Sequence, residues 1–215
     1  MQIVLMGPPG AGKGTQADLI AGEYGICHIS TGEMFRQAAR ENTPIGRAAS
    51  GFMERGLLVP DDVTIEMVRQ RLSKPDCRKG FVLDGFPRNV FQAQELDHIG
   101  DEIGKPVQVA LSIEVSRDIL LQRSAGRRVC TCGASYHIRH SPPKVAERCD
   151  ICGGRLMVRE DDRPDVVLNR LQTYTEQTEP VKCYYRQCGR LREIDGSEDV
   201  QSVRNLIRAV LEMFK

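Results

Sequence analysis

The stretch GPPGAGKGT at positions 7–15 leaves little freedom about the fold that surrounds it. It lies between a short apolar run, IVLM at 3–6, and a helical stretch that begins TQADLIA. Glycines let successive backbone N–H groups turn inward on an anion, the following helix aims its positive end at the same point, and Lys13 adds a full charge. Strand, loop and helix in this order form a phosphate cradle, a device of parallel α/β sheets. The general pattern ends in Gly-Lys followed by Ser or Thr, but here Gly14 stands at the hydroxyl position and Thr15 follows one place later.

The remaining pattern fits such a sheet. Apolar runs at 3–6, 27–29, 81–84, 107–113 and 190–195 alternate with helical stretches. The expected fold is therefore α/β, a P-loop five-stranded parallel sheet with helices on both faces. Ser30 with Glu33, Ser116, and Ser197 with Glu198 and Asp199 mark helix starts. The last helix carries Val200, Val203, Leu206, Ile207, Val210 and Leu211 at helical spacing, which predicts a core face. Two segments break the alternation. Residues 30–59 read as a helical excursion, and 126–163 are rich in Gly, Pro, Cys and charge. The expected organisation is one core domain built from 1–29, 60–125 and 164–215, carrying two inserted lobes.

Charge and composition exclude several classes. With 30 Lys and Arg against 29 Asp and Glu, the net charge of +1 is too small for a general nucleic-acid binder, and the lack of Trp leaves little for base stacking. No apolar run approaches the roughly 18 residues of a membrane span, and no leader pattern precedes the first strand, so a soluble cytoplasmic protein is expected. Of eight cysteines, Cys130, Cys132, Cys149 and Cys152 cluster, whereas Cys27, Cys77, Cys183 and Cys188 are scattered. Two close thiol pairs predict a structural tetrahedral site for Zn²⁺, with iron as the alternative occupant. CDIC has the usual two-residue gap, but CTC is one residue short, which puts one of Cys130 and Cys132 in question and makes His137 a substitute fourth ligand.

Asp84 ends the third apolar run and is followed by Gly85, Phe86, Pro87 and Arg88. Ligands of open α/β sheets bind beyond the carboxyl ends of the strands, so an acid there is placed to hold Mg²⁺ directly or through water. Phosphoryl transfer needs positive charge around the migrating group, and Arg36, Arg88, Arg123, Arg127, Arg159 and Arg170 are the candidates.

Taken in order, GPPGAGKGT, STGEMFR, GLLVPDD, FVLDGFPR, GRRVC, CGASYH, REDD and IDG resemble the adenylate kinases in their long form with a metal-binding lid. The likeness runs from residue 3 to at least 198. It implies a reversible transfer in which ATP and AMP give two ADP with Mg²⁺, performed by a monomer that takes no nucleic acid or membrane as partner. It also implies that 30–59 is an AMP-binding lobe and 126–163 a lid over ATP, whose movement limits turnover. By this resemblance Gly10, Ala11, Gly12, Lys13, Gly14 and Thr15 cradle the ATP phosphates, and Arg127, Ser135, Tyr136 and Glu198 complete that side. AMP falls to Thr31, Arg36, Leu57, Leu58, Val59, Gly85, Phe86, Pro87, Arg88 and Gln92, with Arg159 and Arg170. Lys13, Asp84, Arg88, Arg123, Arg159 and Arg170 are the expected catalytic set. GTP as donor is the nearest alternative; a nucleotide sensor or a zinc module for RNA is more remote, the near-neutral charge opposing the latter.

Overall fold

The computed structural model describes residues 1–214. The order of elements is β1 (Gln2–Met6), α1 (Lys13–Tyr24), β2 (Cys27–Ser30), α2 (Thr31–Arg40), α3 (Pro44–Met53), α4 (Asp61–Leu72), β3 (Phe81–Asp84), α5 (Val90–Glu102), β4 (Val109–Glu114), α6 (Arg117–Gly126), β5 (Arg127–Val129), β6 (Ser135–His137), α7 (Pro164–Thr173), α8 (Pro180–Gln187), β7 (Leu191–Asp195) and α9 (Val200–Leu211). Among the described residues the main sheet has five strands, all parallel, in the order β2-β3-β1-β4-β7. β1 is central, and the chain leaves it directly into the glycine loop.

Strand alternation divides the core into two layers. Ile3 and Leu5 of β1 join Ala17 and Ile20 of α1 and Val203, Ile207 and Leu211 of α9 on one face. Val4 and Met6 face the other way, onto Val68 and Leu72 of α4, Leu96 and Ile99 of α5, and Val181 and Tyr185 of α8. Burial of both faces explains why the strands read as continuous apolar runs. Helix entry follows cap chemistry: Ser30 Oγ accepts from the Glu33 N–H at 3.4 Å, and Asn89 Oδ1 from the Gln92 N–H at 2.8 Å. The final helix begins at Val200, later than Ser197 suggests, because the Asp199 carboxylate caps the N–H groups of Gln201 and Ser202.

The face of α9 is narrower than its periodicity implies. Val203, Ile207 and Leu211 are buried, but Leu206 is 46% exposed and Val200 38% exposed, since one side of a helix against a sheet covers about a third of its circumference. Outside the sheet, α2 and α3 enclose a small cluster of Phe35, Ala49 and Val59. The segment after α6 forms the antiparallel pair β5 and β6, with Arg127 opposite His137, and a second small cluster of Cys130, Cys149 and Leu156. Among the described residues no helix is long and apolar enough to cross a membrane.

The two sides of α9 should respond differently to truncation. Ile207→Ala is expected to cost about 2–5 kcal/mol in urea denaturation, through lost burial and a residual cavity, while Leu206→Ala stays within about 0.5 kcal/mol. Equal losses would mean that α9 does not pack as described.

Candidate active site

The glycine loop is shaped by its backbone. Gly12 precedes α1 with φ +91°, a conformation that L side chains rarely adopt, and a Cβ there would point into open space where an anion can approach the N–H groups. Lys13 Nζ lies under the loop and donates to the carbonyls of Gly7 at 2.8 Å and Pro8 at 3.0 Å. Burial pushes the Lys13 ammonium down to about 7, Asp84 opposing this and Arg88, Arg170 and Arg127 adding to it. Thr15 is exposed on the first turn of α1, and Asp84 at the end of β3 faces that turn, its Oδ2 3.5 Å from where a Cβ on Gly14 would stand. Ala11 is 3% exposed and packs into the core, so only its backbone borders the loop.

Beyond the end of β3 opens a cleft lined by Thr31 and Arg36 of α2, Leu57, Leu58 and Val59 of the following segment, Gly85, Arg88 and Gln92 after β3, and Arg170 of α7. Its floor is fixed by one carbonyl: Gly85 O accepts from Thr31 Oγ1 at 2.9 Å and from Arg88 Nε at 2.8 Å. Gly85 has φ +84°, and a Cβ there would come within 2.9 Å of Thr31 Oγ1, so no larger residue fits. The Gln92 amide is oriented on both sides, accepting from the Arg88 N–H at 2.7 Å and donating to Asp61 at 2.7 Å. The Phe86 side chain is 1% exposed and belongs to the core, which leaves only its backbone toward the cleft; Pro87 borders a smaller cavity between Lys13 and Arg88.

The arginines are gathered by two adjacent acids. Asp161 accepts from Arg159 Nε at 2.8 Å and Nη2 at 2.5 Å, lies 3.3 Å from Arg170 Nη1 and 3.9 Å from Arg36 Nη1. Asp162, its carboxylate fully buried, is paired with Arg127 and stands 3.6 Å from Arg170. Burial alone would raise the Asp161 carboxyl, but Arg170 and Arg159 outweigh it and hold it well below the usual carboxylate range. Arg170 is pushed down to about 10 by burial and by its cationic neighbours, and still carries its charge at neutral pH. Arg36, Arg88, Arg127, Arg159 and Arg170 outnumber Asp84, Asp161 and Asp162, so the cleft keeps a positive excess for phosphates. Arg127 and Arg159 stand where the 126–163 segment leaves and rejoins the core.

Other expected residues lie elsewhere. Arg123 is absent from the cluster: its guanidinium donates to the carbonyls of Gly196 at 2.8 Å, Ser197 at 3.2 Å and Glu198 at 3.1 Å. Ser135 and Tyr136 stand on β6, and the Tyr136 hydroxyl meets Cys149 Sγ at 3.5 Å and accepts from the Asp150 N–H at 2.8 Å. Neither lines the cleft. Sequence reasoning missed Asp161 and Asp162 as organisers, although REDD beside an arginine was the signal, and it missed Asp61, Thr173, Tyr174 and Thr178.

The Sγ atoms of Cys130, Cys132, Cys149 and Cys152 all lie within 4.8 Å of one another, with Cys130 and Cys152 at 3.4 Å and Cys132 and Cys149 at 3.6 Å. That donor set can hold a metal ion, since tetrahedral thiolates around zinc stand about 3.8 Å apart. The short CTC gap is absorbed by a tight turn in which Gly133 N–H donates to Cys130 O and Cys130 N–H to Ala134 O. His137 is no substitute ligand; its Nδ1 accepts from the N–H groups of Arg139 and His140, both at 3.1 Å.

A parallel sheet carrying a phosphate loop, a bounded cleft beside it and an arginine cluster between the two defines a nucleotide phosphotransferase of the P-loop class. The profile of the family described as Adenylate kinase matches residues 5–190. The chain is 53% identical to adenylate kinase of Lysinibacillus sphaericus over 213 residues, covering 99% of this chain and 98% of that one. It is 50% identical to adenylate kinase of Carboxydothermus hydrogenoformans over 213 residues (99% and 100%) and 50% identical to that of Methanosarcina mazei over 214 residues (100% of each). The chain belongs to the adenylate kinase family.

Two outcomes follow for the loop and the thiol cluster. A polyphosphate seated in the loop restores the Lys13 charge, so between about pH 7 and its ordinary value near 10 nucleotide binding takes up a proton, and affinity falls as pH rises through that window. Calorimetry at pH 8 in buffers of different ionisation heat should show uptake approaching one proton; Lys13→Met should abolish it. Removing metal with a strong chelator, or replacing Cys149 by Ser, should lower the melting temperature while leaving much of the catalytic rate at 25 °C. An unchanged melting temperature in both cases would mean that the four thiols hold nothing structural.

Proposed function

We propose that this chain catalyses the reversible transfer of a phosphoryl group from ATP to AMP, giving two ADP. The observation that carries this reading is the cleft that meets the cavity at Gly7 and Lys13 through Gly85 and Arg88, with Thr31, Arg88 and Gln92 converging on it and Arg36 and Arg170 on its wall. The loop from Gly10 to Thr15 would take the donor phosphates, its N–H groups and Lys13 turned to the β and γ oxygens. AMP would occupy the cleft, its phosphate held by Arg36 and Arg88 and its base read by the oriented amide of Gln92. Asp84 faces the first turn of α1 and suits the Mg²⁺ that enters with the nucleotide, which neutralises phosphate charge when bound.

The protein's contribution is positioning and charge. Arg127, Arg159 and Arg170 are prepaired with Asp161 and Asp162, so their guanidiniums are oriented before substrate arrives and their unused N–H groups meet the transferring oxygens. Arg123, fixed to the carbonyls of Gly196, Ser197 and Glu198, belongs with the donor base and not with the phosphates. The 30–59 and 126–163 segments would act as covers that exclude water, which would otherwise accept the phosphoryl group. The thiol cluster would hold Zn²⁺ as a structural ion, all four positions being taken by protein sulfur.

The test is ADP formation from Mg·ATP with AMP, CMP, UMP or GMP, repeated with GTP as donor. Turnover is expected with ATP and AMP, and Arg88→Ala should lower kcat by about 100-fold or more at intact melting temperature. Turnover that ignores the acceptor would leave a nucleotide-hydrolysing sensor instead.

A further inference from the structure

Far from the nucleotide cleft, at the amino ends of the strands, two thiols lie against each other. Cys27 opens β2, and Cys77 sits in the 3-10 turn Pro75–Lys79 that leads into β3; their Sγ atoms are 2.7 Å apart. The β2 and β3 register pairs Cys27 with Phe81 and Ser30 with Asp84, so the thiols and the cleft occupy opposite ends of the same two strands. Cys77 is fully buried, while Cys27 is only partly buried on the edge strand of the sheet.

Geometry narrows what this pair can do. A shared metal ion would hold two thiolates about 3.8 Å apart, wider than the contact found. The Arg71 guanidinium also donates to Cys77 Sγ at 2.9 Å and to Asp76 Oδ1 at 3.0 Å, which places a cation where an ion would have to sit. A covalent sulfur–sulfur bond of about 2.05 Å, by contrast, needs only a small further approach.

We propose that Cys27 and Cys77 are a disulfide-forming site, oxidised by a small-molecule disulfide such as oxidised glutathione. Cys27, the accessible sulfur, loses its proton and attacks one sulfur of the reagent, forming a mixed disulfide and releasing one thiolate. Cys77 then loses its proton and attacks Cys27 Sγ, with Arg71 balancing the negative charge that develops; the Cys27–Cys77 bond forms, the mixed disulfide breaks, and the second reagent thiolate departs. The pair gives up two electrons, which reduce the reagent to two thiols. Burial, with the hydrogen bond to Cys77, pushes the Cys27 thiol up to about 12, so capture is slow at neutral pH and quickens as pH rises. The linked segment encloses α2, α3 and α4, so the bond restrains the unfolded chain while the cleft stays as it is.

The experiment uses the full, metal-loaded chain held at pH 8.5 with oxidised glutathione. Free thiols are then alkylated, and the chain is digested without reduction for mass mapping. The expected product is a Cys27–Cys77 linked peptide that dithiothreitol removes, with a rise in melting temperature of roughly 5–10 °C and less than a twofold change in kcat. Cys27→Ser should lose both the peptide and the rise. Recovery of both cysteines alkylated, or of Cys27 still carrying glutathione beside an alkylated Cys77, would overturn the proposal.

Discussion

Cations confined to a partly dry cleft repel one another, and this site depends on two neighbouring carboxylates that hold them together. Two unit charges 4 Å apart at an effective dielectric of 20 interact by about 4 kcal/mol, and Arg36, Arg159 and Arg170 all come within 4 Å of Asp161 while Arg127 pairs with Asp162. Asp161 and Asp162 offset the repulsion at its centre. A buried charge stripped of its partner costs about 3–5 kcal/mol, so neither acid can leave without disordering the arginines it serves. Because both acids stand at the end of the 126–163 segment, just before α7, the same two residues tie that segment's return to the core.

The sheet was legible because its strands are buried on both faces, which turns them into unbroken apolar runs between turn residues. The glycine loop was legible because its backbone needs specific residue types. What escaped is set by direction in space, which periodicity does not record. Arg123 and Arg127 are one helical turn apart, yet Arg123 is still within α6 and turns to the Gly196–Glu198 loop while Arg127 is past the helix end and reaches Asp162. Leu206 and Ile207 are adjacent and fall on opposite sides of the boundary between solvent and core. Phe86 follows Gly85 directly but is drawn into the apolar layer under the sheet.

Ligand convergence was also hidden from spacing alone. The missing residue of CTC suggested a lost ligand, but a turn closed at Cys130 and Gly133 carries Cys132 back to the others, and His137 is held within its own turn. The π-helical run Tyr174–Thr178 that continues α7 had no signature either, though it brings Tyr174 and Thr178 to the cleft and lets Thr178 Oγ1 donate to Arg88 O at 2.8 Å.

The apolar clusters inside α2 and α3 and inside the β5 and β6 segment are small, whereas the two layers against the sheet are large. Local stability follows burial, so on warming the α2–α3 segment would open first, and the β5–β6 segment with it once its thiol cluster is emptied, while the sheet and its glycine loop persist. Heat would then silence such a molecule well before it denatures it, and cooling would restore it without any need to refold the core.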